Sequence, residues 1–278
     1  METFLKSRMK NRRISVKFSI VISVPEMERL SLFEEKVRKV SELGYEGIEL
    51  AVTDPGKINQ EKLVEIISAY GLDVSCVLTG GAFTSDRLTL SHPDSKVRSL
   101  TIGRINDYIS FASLFPAIVL IGWIRGIWKD DFELSRKLFV EALRKCGKFA
   151  EDKRILLGIE PINRYEVDSI HTIHEAVMTV KEAALPNLGV IPDTFHMNIE
   201  ENEPIYKSIY LCRNKLFHVH VADNNRRAPG MGCLPFKKFF KALREIEYQG
   251  FVSAEVIPLL PDFETIAKES IKFLRKVA

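Results

Sequence analysis

Glutamine is almost missing from this 278-residue chain, which holds only Gln60 and Gln249. Beside abundant Lys, Glu and Arg, so little glutamine favours a heat-adapted source. Cysteine is sparse too: Cys76, Cys146, Cys212 and Cys233 stand without CxxC spacing, which argues against a thiolate zinc site or a disulfide framework and leaves four reduced packing residues. No apolar run approaches the roughly 20 residues of a membrane span. The first fifteen residues, carrying Lys6, Arg8, Lys10, Arg12 and Arg13, lack the apolar centre of a signal peptide. A soluble cytoplasmic protein is expected. Charge of one sign is also lacking, because 40 basic residues face 37 acidic ones for a formal +3. No broad field therefore draws in nucleic acid or an anionic membrane, and any partner is recognised locally.

What is present is alternation. Apolar residues make up 46% of the chain, enough for a large core, and the length suits one α/β barrel better than two average domains. β-rich runs fall near Lys17–Ser23, Gly47–Val52, Asp73–Leu78, Ala117–Trp123, Ile155–Glu160, Leu188–Pro192, Leu216–Val221 and Phe251–Val256. Stretches of helical period follow them at Leu32–Leu43, Gln60–Tyr70, Lys96–Leu114, Asp131–Lys153, Ile170–Ala184, Tyr206–Arg213, Phe236–Ile246 and Phe263–Val277. Gly44, Gly71 and Gly250 stand where helices should stop, positions that suit a left-handed cap. With no low-complexity linker, the expectation is a (β/α)8 TIM barrel in a single domain over residues 16–278, preceded by a basic N-terminal extension at 1–15.

The chemistry gathers at strand ends, where such barrels keep their reactive groups. Glu160, Asp193, His220 and Glu255 each sit in or just past a β-type run, separated by 33, 27 and 35 residues, close to the roughly 30 of a βα unit. Four consecutive strands thus offer one ionisable group apiece to the same mouth. A buried charge at such a place is costly unless it is paired or bound to metal. Each group alone could as well be a salt-bridge partner, whereas all four together point to one divalent ion. Three carboxylates and an imidazole suit Mn2+ first, then Mg2+ or Co2+.

The stretches Gly158-Ile-Glu-Pro-Ile-Asn-Arg-Tyr-Glu166, Pro192-Asp-Thr-Phe-His-Met-Asn-Ile-Glu200, His218-Val-His-Val-Ala-Asp-Asn-Asn-Arg226, Pro229-Gly-Met-Gly232 and Gly250-Phe-Val-Ser-Ala-Glu255 resemble the xylose-isomerase-like barrel superfamily, and within it the D-tagatose 3-epimerase and D-psicose (allulose) 3-epimerase group. The resemblance implies that Glu160, Asp193, His220 and Glu255 are metal ligands, that Glu160 and Glu255 are also the catalytic proton-transfer pair, and that Glu166, His196 and Arg226 contact substrate. It further implies a homo-oligomer, a dimer or tetramer.

Inverting a carbon beside a ketone means removing a weakly acidic proton, passing through an enediolate and returning a proton on the other face. Glu160 and Glu255, from the fifth and eighth strands, are placed for that exchange. His218, two residues before His220, turns to the same interior face and takes a role behind the ligands or on the substrate side; a hydrogen-bonded packing histidine is the plainer alternative. Without the resemblance, Glu166 reads as a surface ion-pair partner, His196 could be a helix-start packing residue, Arg226 is as readily a solvated loop arginine as a substrate contact, and Trp123 is more often packing than pocket wall. The small-molecule substrate is expected to be a free ketose, with a sugar phosphate, a keto-inositol or hydroxypyruvate as runners-up. An abasic-site endonuclease ranks low for want of histidines and basic surface, and a non-catalytic metal-binding barrel remains open. The loops Val52–Asn59 and Gly80–Leu90 show no recognisable pattern for reading substrate.

Overall fold

In a computed structural model, described over residues 16–25, 30–128 and 130–278, eight parallel strands run in the order β6-β5-β4-β3-β2-β1-β8-β7. They are β1 (Lys17–Ser23), β2 (Gly47–Ala51), β3 (Asp73–Leu78), β4 (Ile118–Ile121), β5 (Leu157–Ile159), β6 (Leu188–Val190), β7 (Val219–Val221) and β8 (Phe251–Ala254). Parallel bridges Val190↔Leu216 and Asp193↔His220 join the two ends of that order and close the barrel. The expected single-domain (β/α)8 architecture is what the chain forms, although β4 to β8 are shorter than their apolar runs. The proposed 1–15 extension lies outside the described residues.

The helices that cover the sheet are α1 (Leu30–Glu42), α2 (Gln60–Ala69), α3 (Gly80–Asp86), α4 (Ser95–Ala112), α5 (Phe132–Asp152), α6 (Ile173–Ala183), α7 (Thr194–Glu200), α8 (Ile205–Ser208), α9 (Phe236–Glu245) and α10 (Phe263–Val277). Their apolar stripes explain their placement. In α9, Phe236, Phe239, Phe240 and Leu243 are buried while four Lys and Arg residues between them face outward. Side-chain caps set several starts: Asp131, Thr172 and Asp262 accept from backbone N–H groups of α5, α6 and α10. The expected helix at Tyr206–Arg213 is instead α8 followed by a 3-10 turn, Ile209–Cys212.

Gly44 and Gly71 take the left-handed conformation expected of them. Gly250 does not; Glu247, at φ 59°, makes that turn after α9, and Gly250 is small because an added Cβ would strike the Tyr248 ring. Cys76, Cys146 and Cys212 are buried, as packing residues should be, whereas Cys233 is exposed and packs nothing. Within the barrel, Cys76, Leu120 and Ile191 form a small apolar cluster separate from the sheet–helix core. Among the described residues no helix is long and apolar enough to cross a membrane.

Candidate metal centre and substrate pocket

Glu160 follows β5, Asp193 lies just past β6, His220 is the centre of β7 and Glu255 follows β8. The barrel's closure brings one oxygen or nitrogen from each to within 4.8 Å of the others. His220 Nδ1 lies 3.1 Å from Glu160 Oε1 and 3.0 Å from Glu255 Oε2. Asp193 divides its carboxylate: Oδ1 accepts from the Phe195 N–H at 2.7 Å and caps α7, while Oδ2 is buried with no hydrogen-bond partner. An orphaned carboxylate oxygen in such a place needs a cation or a proton. Together with a donor set of three carboxylates and one imidazole, free of thiolate, it fits a hard divalent ion.

The glycine after β4 leaves room for this cluster. A Cβ at Gly122 would stand 3.1 Å from Glu160 Oε2 and 2.9 Å from Leu120 Cδ2. Arg125, fully buried in the turn that follows, donates to the carbonyls of Gly122, Glu160, Ser169 and Ile170. It ties the ends of β4 and β5 to the loop before α6. Burial pulls its pKa down to about 10, so it stays charged at neutral pH.

Crowding sets the protonation of the cluster. Burial and the Glu255 charge lift the Glu160 carboxyl to about 6, and burial with both glutamates lifts Asp193 well above the usual carboxylate range. Burial pushes Glu255 up as well, but the neighbouring His220 more than reverses this. His220 itself is pushed down by burial and lifted further by Glu49, Glu255 and Glu160, ending well above the usual imidazole range.

A cavity of about 480 Å3 opens above the cluster. Glu160 and Glu255 reach its wall together with Glu166, His196 and Arg226, so the three expected substrate contacts converge there. Trp123, Ile257, Leu259 and Phe263 supply apolar wall. Val52, Thr53, Gly80 and Gly81 also line it, so the two first-half loops that show no sequence pattern do contribute to the pocket. Asp193, His220 and His218 lie deeper, off the cavity wall.

One residue that the motif contains but sequence reasoning assigned no role organises the substrate side. The Asn163 amide nitrogen donates to Glu166 Oε1 at 2.9 Å and lies 2.7 Å from His196 Nδ1. Burial holds the His196 pKa down to about 3, so its ring is neutral. With Nδ1 accepting from Asn163, Nε2 carries the hydrogen, as a neutral imidazole requires. Glu166 also accepts from Arg226 Nη1 at 2.6 Å, and the Arg226 guanidinium lies over the Phe195 ring, 4.7 Å from its centroid. Glu166 Oε2 and Arg226 Nε are buried without hydrogen-bond partners among the described residues. Arg226 has φ 58°, held by a loop in which Asp223 accepts from the N–H groups of Asn224, Gly230 and Leu234. A non-glycine residue kept in the left-handed region by its surroundings is common at functional sites.

His218 does not reach the four-residue cluster. It bonds instead to Glu49, a buried carboxylate in the middle of β2 to which sequence reasoning gave no role. The signal was an acid inside the apolar run Gly47-Ile-Glu-Leu-Ala51.

Comparison with known proteins places the fold in a family. Residues 37–277 match the family described as xylose isomerase-like TIM barrel. A D-psicose 3-epimerase of Enterocloster bolteae is 30% identical over 270 residues, covering 94% of this chain and 88% of the relative. A 3-dehydro-D-guloside 4-epimerase of Escherichia coli is 29% identical, covering 87% of this chain and 93% of that one. The crystal structure of a D-psicose 3-epimerase in the presence of D-fructose superposes with a TM-score of 0.80 at 26% identity, over 94% of this chain and 99% of that one. With a closed barrel, a four-residue cluster at its mouth and a family match across most of its length, the chain belongs to the xylose isomerase-like TIM-barrel family.

Proposed function

We propose that this protein is a metal-dependent ketose 3-epimerase, an isomerase acting on a free ketohexose or a related keto sugar. The observation that carries the reading is that two carboxylates from β5 and β8, Glu160 and Glu255, meet at His220 Nδ1 and line one cavity of about 480 Å3. The relatives named as ketose epimerases support it.

Glu160, Asp193, His220 and Glu255 would hold the ion, with Mn2+ the first choice and Mg2+ or Co2+ next. When bound, it would supply Lewis acidity, stabilising negative charge that develops on the ketone oxygen and the neighbouring hydroxyl. Glu160 and Glu255 are placed to take a proton from the carbon beside the ketone and to return one on the opposite face, the sugar passing through an enediolate. The His196 Nε2–H, the unpartnered Arg226 Nε and the unpartnered Glu166 Oε2 offer two donors and an acceptor that fix the sugar hydroxyls. The apolar side chains of Trp123, Ile257 and Leu259 line the same cavity and would pack against the carbon skeleton of the sugar. A cytoplasmic dimer or tetramer is part of the same proposal.

A phosphorylated ketose is the second reading, favoured by Lys36, whose ammonium lies over the Phe263 ring at 5.3 Å from the centroid and which lines the cavity away from the cluster. Incubating the Mn2+-loaded protein in deuterated water with D-psicose, D-fructose and fructose phosphates separates the two. Deuterium entering C3 of a free ketose is the expected result. No exchange at C3 of any of them would remove the epimerase reading.

A further inference from the structure

Glu49 belongs to none of the groups assigned above, yet it is fully buried directly behind the metal centre. Its Oε1 takes a short hydrogen bond from His218 Nε2, and its Oε2 lies 3.0 Å from His220 Nε2. Glu49 Oε2 and His220 Nε2 face each other at ion-pair distance, and neither has a well-aligned hydrogen-bond partner among the described residues. The His218 and His220 rings stand edge to face, 5.2 Å between centroids, so the one carboxylate is fitted between two ring edges.

We propose that Glu49 is a positioning residue that fixes His220 in the form with its hydrogen on Nε2, so that the Nδ1 lone pair faces Glu160 and Glu255 as the metal-binding atom. The argument is one of donors and acceptors. An ionised carboxylate only accepts, so each ring nitrogen facing it must carry hydrogen. Nδ1 also faces carboxylates and bonds Glu160 Oε1, so an ion held there takes the place of its hydrogen, and the hydrogen that Glu49 keeps on Nε2 leaves Nδ1 bare toward that ion. Histidine ligands commonly donate their second N–H to a carboxylate, which orients the ring and raises its basicity. His218 completes the device: its bond to Oε1 holds the Glu49 carboxylate in the plane that presents Oε2 to His220. Glu49, His218 and His220 are themselves close enough to suggest a second cation site. The direct His218–Glu49 hydrogen bond instead uses the atoms such an ion would need.

This inference rests on the proposed metal-dependent reading only in taking His220 as a ligand, and the test separates the two. Titrating the full-length apoprotein with Mn2+ by calorimetry should show one ion per chain in the wild type. The folded Glu49→Gln variant should bind it at least about tenfold more weakly, because an amide has one acceptor and one N–H2 face and cannot accept from both rings. Nitrogen-15 spectra of the wild type loaded with diamagnetic Mg2+ should place the His220 hydrogen on Nε2, a readout that does not depend on the variant folding. If the wild type binds no Mn2+, the metal-centre reading fails. If it binds one ion and Glu49→Gln binds equally tightly with only a lowered Tm, or if the His220 hydrogen sits on Nδ1, or if two ions bind, the positioning role of Glu49 is overturned.

Discussion

Arg125 donates through Nη1 to the main-chain carbonyl of Glu160 at 2.9 Å, so a buried guanidinium whose hydrogen bonds among the described residues all go to carbonyls anchors the backbone of a residue of the proposed metal centre. Replacing it with methionine keeps the volume and removes every donor. The carbonyls of Glu160 and Ser169 would lose their donor, at about 1–3 kcal/mol for each group left dry, not fully additive, whereas Gly122 and Ile170 keep the backbone N–H groups of residue 125 and Ile162. Arg125→Met is expected to lose about 3 kcal/mol or more in urea unfolding and to weaken Mn2+ binding. A loss under about 0.5 kcal/mol would show that the clamp is idle.

Metal uptake should depend on pH in a fixed direction. Burial and mutual repulsion raise Glu160 to about 6 and Asp193 well above its usual range, so at low pH these carboxyls hold protons that an incoming cation must displace. Binding therefore releases protons and tightens as pH climbs from about 5 to about 7. Calorimetry in two buffers of different ionisation enthalpy counts those protons, and an affinity flat across that interval would contradict the expectation.

Asn163 is expected to matter to turnover more than to folding. Asn163→Asp replaces a donor to Glu166 and His196 with a carboxylate that repels the first and accepts from the second. That should draw the His196 hydrogen to Nδ1 and leave His196 without a donor facing the cavity. A fall in kcat/KM of at least about tenfold is expected, the order of effect seen when a supporting hydrogen bond behind a functional group is lost. Steady-state kinetics on the substrate found by deuterium exchange would check it, with an unchanged kcat/KM as the contrary result.

Arg226→Lys keeps the charge and loses the planar fork and the stack on Phe195. Losing a charge-assisted hydrogen bond to substrate costs about 1.5 kcal/mol or more, so KM should rise roughly tenfold while kcat changes less. Should kcat fall instead with KM unmoved, Arg226 would be acting on the transition state and not in holding the sugar.

The sequence was most legible where chemistry and period coincide. Glu160, Asp193, His220 and Glu255 recur at about one βα unit, and a charged group closing an apolar strand has few innocent explanations. Glu166, His196 and Arg226 were legible only through their motif, since each is also an ordinary loop or helix residue. The short helix α3 was missed, and α7 was glimpsed only as a helix start at His196, because seven residues cannot hold a helix by propensity alone. They form where Thr79 and Asp193 begin a turn already packed on the barrel mouth. Glu49, Asn163 and Arg125 escaped because their meaning is relational: each is defined by partners 169, 33 and 35 residues away.

By itself the sequence determined that the strands alternate with helices and that four ionisable groups end four successive strands, because side-chain period and spacing along a chain are local properties. Tertiary structure alone decided that β6 meets β7 through the Asp193↔His220 bridge, that Asp193 Oδ2 is left without a partner, and that His220 turns one ring nitrogen to the cluster and the other to Glu49. Those outcomes depend on how the closed sheet aims side chains from distant strands into one desolvated space, and no single strand carries that information.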